Sequence, residues 1–351
     1  MNIFETYTML GMVKEIEVKQ SFFKDRYFPT SKKDIFGTEN VLMDYEGGNQ
    51  KMAAFVAEKQ GDIPVARDEF ESIVFTPPKV APSRLLTLDQ LKKRGFGEAV
   101  FTDKTAAERA EALQLQDLQD LDARIGRREE WMCAQVLINN GLDVIEYVDD
   151  MTIGRTRHLK FYEGSTSDHI YTVSAKWNAT GGDFFGDITA MCQQLSMRGL
   201  PVEDLVIGAS VAAEIMQIDL VHKLLDNRRM EFGGIAPKVM YPGVAWMGKL
   251  NFGGFDLNVW SVYETYEDTD GTNEYYFPAD GALVTAPNCG RLLYGAVTQI
   301  EADKQFYTHA EPRVPKFVVD EDKDTRKLRI TARPLPVPRN NLPYSFAAEV
   351  V

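Results

Sequence analysis

Four histidines, three cysteines and a crowd of carboxylates are the groups in this chain that could do chemistry, and their spacing assigns them almost none. His158, His169, His222 and His309 include no HExxH and no i, i+4 pair, the spacing by which one helix face holds a catalytic zinc. Cys133, Cys192 and Cys289 are odd in number, far apart and in no CxxC pair. That points to reduced thiols in a cytosolic folding compartment and gives no zinc site. Asp183 and Asp187 stand one turn apart near a predicted helix start. Helix capping accounts for them, a catalytic pair being the sharper reading, and spacing singles out no other pair among 52 acids. Asp268-Thr269-Asp270-Gly271 has the flavour of a calcium loop. Tyr266, however, stands where the first ligand belongs and Phe277 where the bidentate Glu belongs, so a hairpin turn is expected.

His158, between Arg157 and Lys160, reads as an anion site or as the polar face of a strand. Lys51, Lys59 and Lys79, with Asn340 and Asn341, hold the groups for Lys–Asn cross-linking, although solvated lysines and a turn need no such chemistry. The glycine pairs beginning at 47, 181, 233 and 253 fall in no GxxxxGK[ST] and in no GxGxxG that follows a strand, and there is no GxSxG elbow. The expectation is a protein with no catalytic, cofactor-binding or metal-binding residues, and therefore not an enzyme.

The stretch that must position the rest runs from Asp103 to Gly141. It lacks proline and is dense in Ala, Leu, Gln, Glu and Arg, strong helix formers. Thr102 or Asp103 can cap its start, Glu108 and Glu111 suit the positive end of the dipole, and Asn139-Asn140-Gly141 is a stop signal. Leu118, Leu121, Ile125, Met132 and Val136 make one apolar stripe; Glu108, Gln119, Arg127 and Glu130 are read as the opposite face. Arg128 interrupts the seam that a coiled coil would need. Gly126 costs about 1 kcal/mol against Ala inside a helix. The stretch is read as one long bent helix of roughly 50 Å, at about 1.5 Å per residue, a strut across a sheet.

Around this helix the chain divides into segments. Residues 1–40 look like an arm whose aromatic cluster Phe22, Phe23, Tyr27 and Phe28 either packs on its own domain or docks on a neighbouring subunit. Residues 41–100 look extended: Val41, Met43 and Tyr45 alternate before Glu46-Gly47-Gly48-Asn49, and Met52 to Val56 read as the returning strand. Pro77, Pro78 and Pro82 exclude a central strand after it. Two short strands after the helix are expected to form the narrow sheet that it crosses. From Trp177 an α/β unit opens, with Ile188, Met191, Leu195 and Met197 on one side of a helix closed by Gly199, then the apolar strand Leu205–Gly208 and a second helix. RLLYGAVTQIEAD reads as a strand, FVVDEDKDTRKLRIT as a hairpin, and the C-terminus as a strand with a Pro-rich exit.

The chain of 351 residues is long enough for about two domains. Its formal net charge of −13 opposes tight binding of nucleic-acid phosphates, so no sequence-specific nucleic-acid contact is expected. No run of apolar residues is long enough to span a membrane, and the first residues do not read as a signal peptide. A separate protein is expected to supply any internal scaffold.

Several weak motifs in a fixed order carry a resemblance. FFKDRYFPTSKKDIFGTENVLMDYEGGNQKMAAFVA has an aromatic-Pro segment leading to an extended strand. FTPPKVAPSRLLTLDQL has a P-x-x-x-P-x-x-x-L return, KWNATGGDFFGDI a W–polar loop–D lead-in, and LLYGAVTQIEAD a final strand. Together they resemble the HK97-fold major capsid proteins of tailed bacteriophages, in particular the lambda-type major capsid protein E family. The resemblance implies an α+β fold with an N-terminal arm (1–40), an extended E-loop hairpin (41–100) and a peripheral domain (101–176) with a spine helix at 103–141. An inserted α/β axial domain (177–287) and a return to the peripheral domain with the C-terminal strands (288–351) would follow. It also implies self-assembly as pentamers and hexamers into an icosahedral virion head, in the host bacterial cytoplasm. Scaffolding protein, portal and a decoration protein would be partners. An encapsulin-like or prophage-derived shell shares that fold, and a small-molecule enzyme or binding protein built on the α/β unit is the alternative from another class.

Overall fold

The computed structural model describes residues 9, 21–46, 70–87, 106–147, 153–162, 168–217, 233–268, 271–301, 303–320, 325–339 and 342–351. In chain order come a short helix α1 (Phe22–Tyr27), strands β1 (Val41–Glu46), β2 (Phe70–Phe75) and β3 (Ser83–Thr87), and the long helix α2 (Ala106–Asn139). Strands β4 (Gly141–Tyr147), β5 (Ile153–Lys160) and β6 (Ile170–Tyr171) lead to helix α3 (Phe184–Met197), β7 (Asp204–Gly208) and helix α4 (Ala209–Ile215). Then follow β8 (Gly233–Tyr241), β9 (Val244–Phe252), β10 (Phe255–Val262), β11 (Thr265–Glu267), β12 (Asn273–Tyr275) and β13 (Ala282–Thr285). The chain closes with β14 (Gly290–Tyr294), β15 (Val297–Ile300), β16 (Phe306–His309), β17 (Val314–Asp320), β18 (Thr325–Thr331), β19 (Pro334–Pro338) and β20 (Tyr344–Ala347).

The long helix runs unbroken through Gly126, because apolar partners lie under both of its halves. Leu118, Leu121 and Ile125 pack on Leu328, Ile330 and Ala332 of the β18 region, while Cys133, Val136 and Leu137 join a larger cluster with Leu292, Leu335 and Val337. Asn140 ends it in the left-handed region at φ 50°, a conformation Asn tolerates. Its buried side chain donates to the Phe161 carbonyl and accepts from the Tyr344 hydroxyl, both at 2.6 Å. The strands along the helix include β18 and β19 besides the β4–β5 hairpin expected there, whose Leu159 packs on the cluster with Cys133, Val136 and Leu137. One residue of its expected polar face is misplaced: Glu130 is buried.

A seven-stranded mixed sheet, in the order β6-β20-β13-β7-β10-β9-β8, forms the second layer. Strand β7 is buried along its whole length, as an apolar central strand must be. Leu205 and Ile207 face α3 and its Ile188, Met191 and Leu195, while Val206 faces Phe22, Phe23 and Tyr27 on the other side. The aromatic cluster of the expected arm is therefore part of this chain's own core, and α1 covers one face of the sheet.

Other expectations need correction. Met197 sits on the exposed side of α3. RLLYGAVTQIEAD is two strands, β14 and β15, parted at Gly295, where the backbone N–H turns to the Arg333 carbonyl. Strand β1 pairs with β2, Val41 opposite Phe75; Met52 to Val56 lies outside the described residues. The Pro-rich exit is itself strand β19. Its prolines at 334, 336 and 338 alternate, leaving Leu335 and Val337 to face β14 with their N–H groups. The last strand, β20, pairs with β13 and β6 and so joins the sheet of the inserted unit, whereas residues 288–351 were expected to complete the helix-bearing unit. The hairpin around residue 320 forms as read, Val314–Asp320 against Thr325–Thr331.

Close packing of the N-terminal segment makes one position critical. A Cβ on Gly290 would lie 2.2 Å from the Phe28 ring and 2.8 Å from the Val337 carbonyl oxygen. Gly290→Ala is expected to cost about 1–3 kcal/mol through overpacking, read as a lower urea midpoint at unchanged slope. An unchanged midpoint would show that Phe28 does not pack there.

Candidate functional site

Among the described residues, those with chemical potential do not converge. Asp183 caps α3, its carboxylate accepting from the Gly186 N–H at 2.9 Å. Asp187, one turn on, accepts from Trp177 Nε1 and from the Tyr171 hydroxyl, each at 2.8 Å. The Trp–loop–Asp spacing is thus a brace that closes the 177–187 loop. His158 is exposed on β5 with its Nδ1 2.6 Å from Asp143, while Arg157 on the opposite strand face pairs with Glu146 and donates to the Thr76 carbonyl. His169 is buried, with Nε2 2.9 Å from the Ile138 carbonyl, and His309 lies 2.9 Å from Glu301. Strands β11 and β12 pair antiparallel, with the Asp268 N–H on the Thr272 carbonyl and the Gly271 N–H on the Asp268 carbonyl; Thr269 and Asp270 lie outside the described residues. The three cysteines are free and buried, and burial pushes all three thiols up, Cys192 and Cys289 to about 12. Lys51, Lys59, His222, Asn340 and Asn341 lie outside the described residues, which hold no cluster of three potential metal ligands.

What the geometry does build is a set of polar locks. Fully buried Glu129 accepts a bidentate pair from Arg313 at 2.6 and 2.8 Å, and single bonds from Lys24 and the Tyr294 hydroxyl, each at 2.9 Å. Arg313 also donates to Asp122 at 2.6 Å. Burial alone would raise the Glu129 pKa; Arg313 and Lys24 overcome it and hold the carboxyl down at about 2. Its neighbour Glu130 accepts the backbone N–H groups of Phe23 and Lys24 at 2.6 and 2.8 Å. Here burial wins over those two hydrogen bonds, Glu264 and Asp25 add repulsion, and the carboxyl is pushed up to about 8. A third lock ties α1 to the sheet: Arg26 clasps Asp204 at 2.6 and 2.7 Å and lies 4.6 Å over the Trp260 ring. These locks were invisible to spacing because the partners are far apart in the chain; the only hint was a helix with two adjacent acids near its middle.

The outer surface carries a second feature. On the β1–β2 ribbon Val41 and Phe75 are buried, but their neighbours Leu42 and Val74, paired across the strands, are 55% and 59% exposed. Val318 and Val319 near the end of the β17–β18 ribbon are exposed on both faces, and Phe306 of β16 is 74% exposed. Exposed apolar residues grouped on thin sheets are the kind of patch that marks contact surfaces in general. A small-molecule site would need a concave pocket with converging polar groups. The hollow between Ile215, Met247, Gly248, Leu250 and Val259 has about 10 Å³ and only apolar side chains.

A locked core that projects bare-faced ribbons defines a protein that works through its surfaces, a shell-building subunit. The sequence matches the phage major capsid protein E family over residues 5–341, and the chain belongs to that family of capsid-forming proteins. The fold is that of the HK97-type capsid structures. A capsid protein assigned to a prophage of E. coli CFT073 is similar at TM-score 0.65 and 16% identity, with 99% of each chain covered. A phage-related protein from Bordetella bronchiseptica RB50 is similar at TM-score 0.53 and 9% identity, over 99% of this chain and 97% of that one. A search of curated proteins by sequence finds no match.

The Glu130 lock predicts a pH signature. Its folded pKa is raised above the ordinary value near 4.5. Its contribution to stability is therefore complete below that value and is lost as pH rises through about 8. Glu130→Gln stays neutral, so the stability of the native chain relative to this variant should fall between about pH 5 and pH 9, measured by urea unfolding. A difference independent of pH would show that Glu130 is ionised throughout.

Proposed function

We propose that this chain is the major capsid protein of a tailed phage, assembling as pentamers and hexamers into an icosahedral head around the genome. The observation that carries this reading is the uncovered apolar face of the β1–β2 ribbon, with Leu42 and Val74 paired in register and exposed, on a member of a capsid-forming family. Many modest contacts of this kind, repeated between copies, add up through multivalency. Heterologous contacts that close into rings then tile a shell. The net charge of −13 suits a container that must not grip its packaged DNA. Scaffolding protein, a portal and a decoration protein are the partners the family implies, and assembly takes place in the host cytoplasm. In this reading the chain works as a structural protein and not as an enzyme, and the carboxylates and histidines named above among the described residues serve in caps, braces and locks.

Light scattering with negative-stain microscopy on the full-length chain tests this. Closed shells, or five- and six-membered rings that convert to shells, are expected. A compact monomer or dimer, unchanged by protein concentration and by co-expressed scaffold, would contradict it.

A further inference from the structure

One face of the β3–β18–β17 sheet lies on the long helix. Leu328 and Ile330 pack there with Leu118, Leu121 and Ile125, and Arg84 donates from the same face to Asp117 and Asp120. By strand alternation the other face carries two rows of side chains read across the ladders. Leu85, Lys327 and Val318 form the first row, and Ser83, Arg329 and Lys316 the second. Leu85 is 49% and Val318 43% exposed, and Lys327 and Ser83 are exposed beside them. The two rows thus hold two bare aliphatic side chains and three cations with no carboxylate, in a chain whose net charge is −13. Arg329 and Lys316 stand directly opposite each other, a repulsive pair in a ladder unless negative charge approaches it. Such a face suits a partner that is acidic and carries apolar surface.

The β11–β12 ribbon presents that chemistry. On its inner face the Tyr266 hydroxyl accepts from Trp131 Nε1 of α2 at 3.0 Å and donates to Glu274 at 2.7 Å. Strand alternation turns Thr265 and Glu267 outward, with Tyr275 and Asn273 opposite them. Tyr275 is 47% exposed, and Tyr263, just before the ribbon, 46%. Glu267 is exposed, and so is Glu274, whose carboxylate keeps acceptor positions beyond the one that Tyr266 uses. Residues 263–275 contain no Lys, Arg or His. Sheet face and ribbon are both bare in one copy, so they do not meet within it. We propose that the outer face of the β3–β18–β17 sheet, with Lys316, Lys327 and Arg329, receives the acidic β11–β12 ribbon of a second copy. The tyrosine rings then cover Leu85 and Val318 while the carboxylates meet the cations. The contact is head-to-tail, the kind that closes rings, and it rests on the shell reading above. Nucleic-acid phosphate matches the cations but not the aliphatic side chains beside them, and a chain at −13 repels a polyanion as a whole.

Charge reversal in the full-length protein tests the pairing, read as the protein concentration needed for assembly. Lys327→Glu with Arg329→Glu reverses the sheet face; Glu267→Lys with Glu274→Lys reverses the ribbon. Each reversal alone is expected to raise that concentration about tenfold or more, since like charges then face each other. The combined variant should return towards the native value. Tyr275→Ser should raise the concentration too, with no change of charge. Unchanged urea midpoints, together with a smaller effect for the neutral Lys327→Gln than for Lys327→Glu, separate lost contact from lost folding. If the native chain assembles and either reversal assembles equally well, or the combined variant is no better than the single ones, the pairing is overturned and the shell reading stands. A face reversal that changes only the amount of co-purified DNA overturns it as well. If the native chain itself does not assemble, the shell reading fails and the pairing with it.

Discussion

A carboxylate sealed from water needs charge close by, and Glu129 takes it from residues far away in the chain. Lys24 comes from the N-terminal segment, and Tyr294 and Arg313 come from the C-terminal third. Desolvation makes the arrangement all-or-none: withdrawing one partner from a buried ion pair costs about 3–5 kcal/mol, because a bare charge stays behind. Every segment that meets Glu129 is therefore fixed in register against the long helix. The next residue, Glu130, has no such cation and burial pushes its carboxyl up to about 8; it binds the first turn of α1 through the backbone N–H groups of Phe23 and Lys24. Arg26 and Asp204 then carry the connection into the sheet.

This constraint separates what is rigid from what is available to neighbours. Phe22, Phe23, Tyr27 and Phe28 are spent inside the chain, so the aromatic part of the N-terminal segment is not a docking arm. The apolar surfaces left exposed lie on the two-stranded β1–β2 and β15–β16 ribbons and on the three-stranded β17–β18–β3 sheet, whose strand β18 packs on the long helix. A capsid subunit gains from that division. A stiff body sets the angle between neighbours, and thin ribbons supply contact area without adding a second core.

What the sequence made legible was local. The long helix, its stop at Asn139-Asn140-Gly141, the cap at Asp183 and the hairpin through residue 320 follow from periodicity, capping chemistry and turn composition. What it concealed was set by distant partners. Glu130 read as solvent-facing because a helical wheel cannot show that two N–H groups more than a hundred residues away will cover it. The pairing of β1 with Phe70–Phe75 was hidden for the same reason, since any apolar alternation can serve; residues 52–56 lie outside the described residues. The C-terminal strand looked like a return to the helix-bearing unit, whereas burial along its whole length suits a place between β6 and β13. The family likeness followed from the order of weak motifs, confirmed over residues 5–341.

The central claim is that the carboxylates at the middle of the long helix weld the N-terminal segment into the core. Hydrogen exchange on the unassembled full-length chain tests it most directly. The amides of Phe23 and Lys24, which donate to Glu130, should exchange only through global unfolding, at the same free energy as the Val136 and Leu137 amides of α2. Exchange of Phe23 and Lys24 orders of magnitude faster than that of α2 would show a segment that detaches on its own, and would contradict the account.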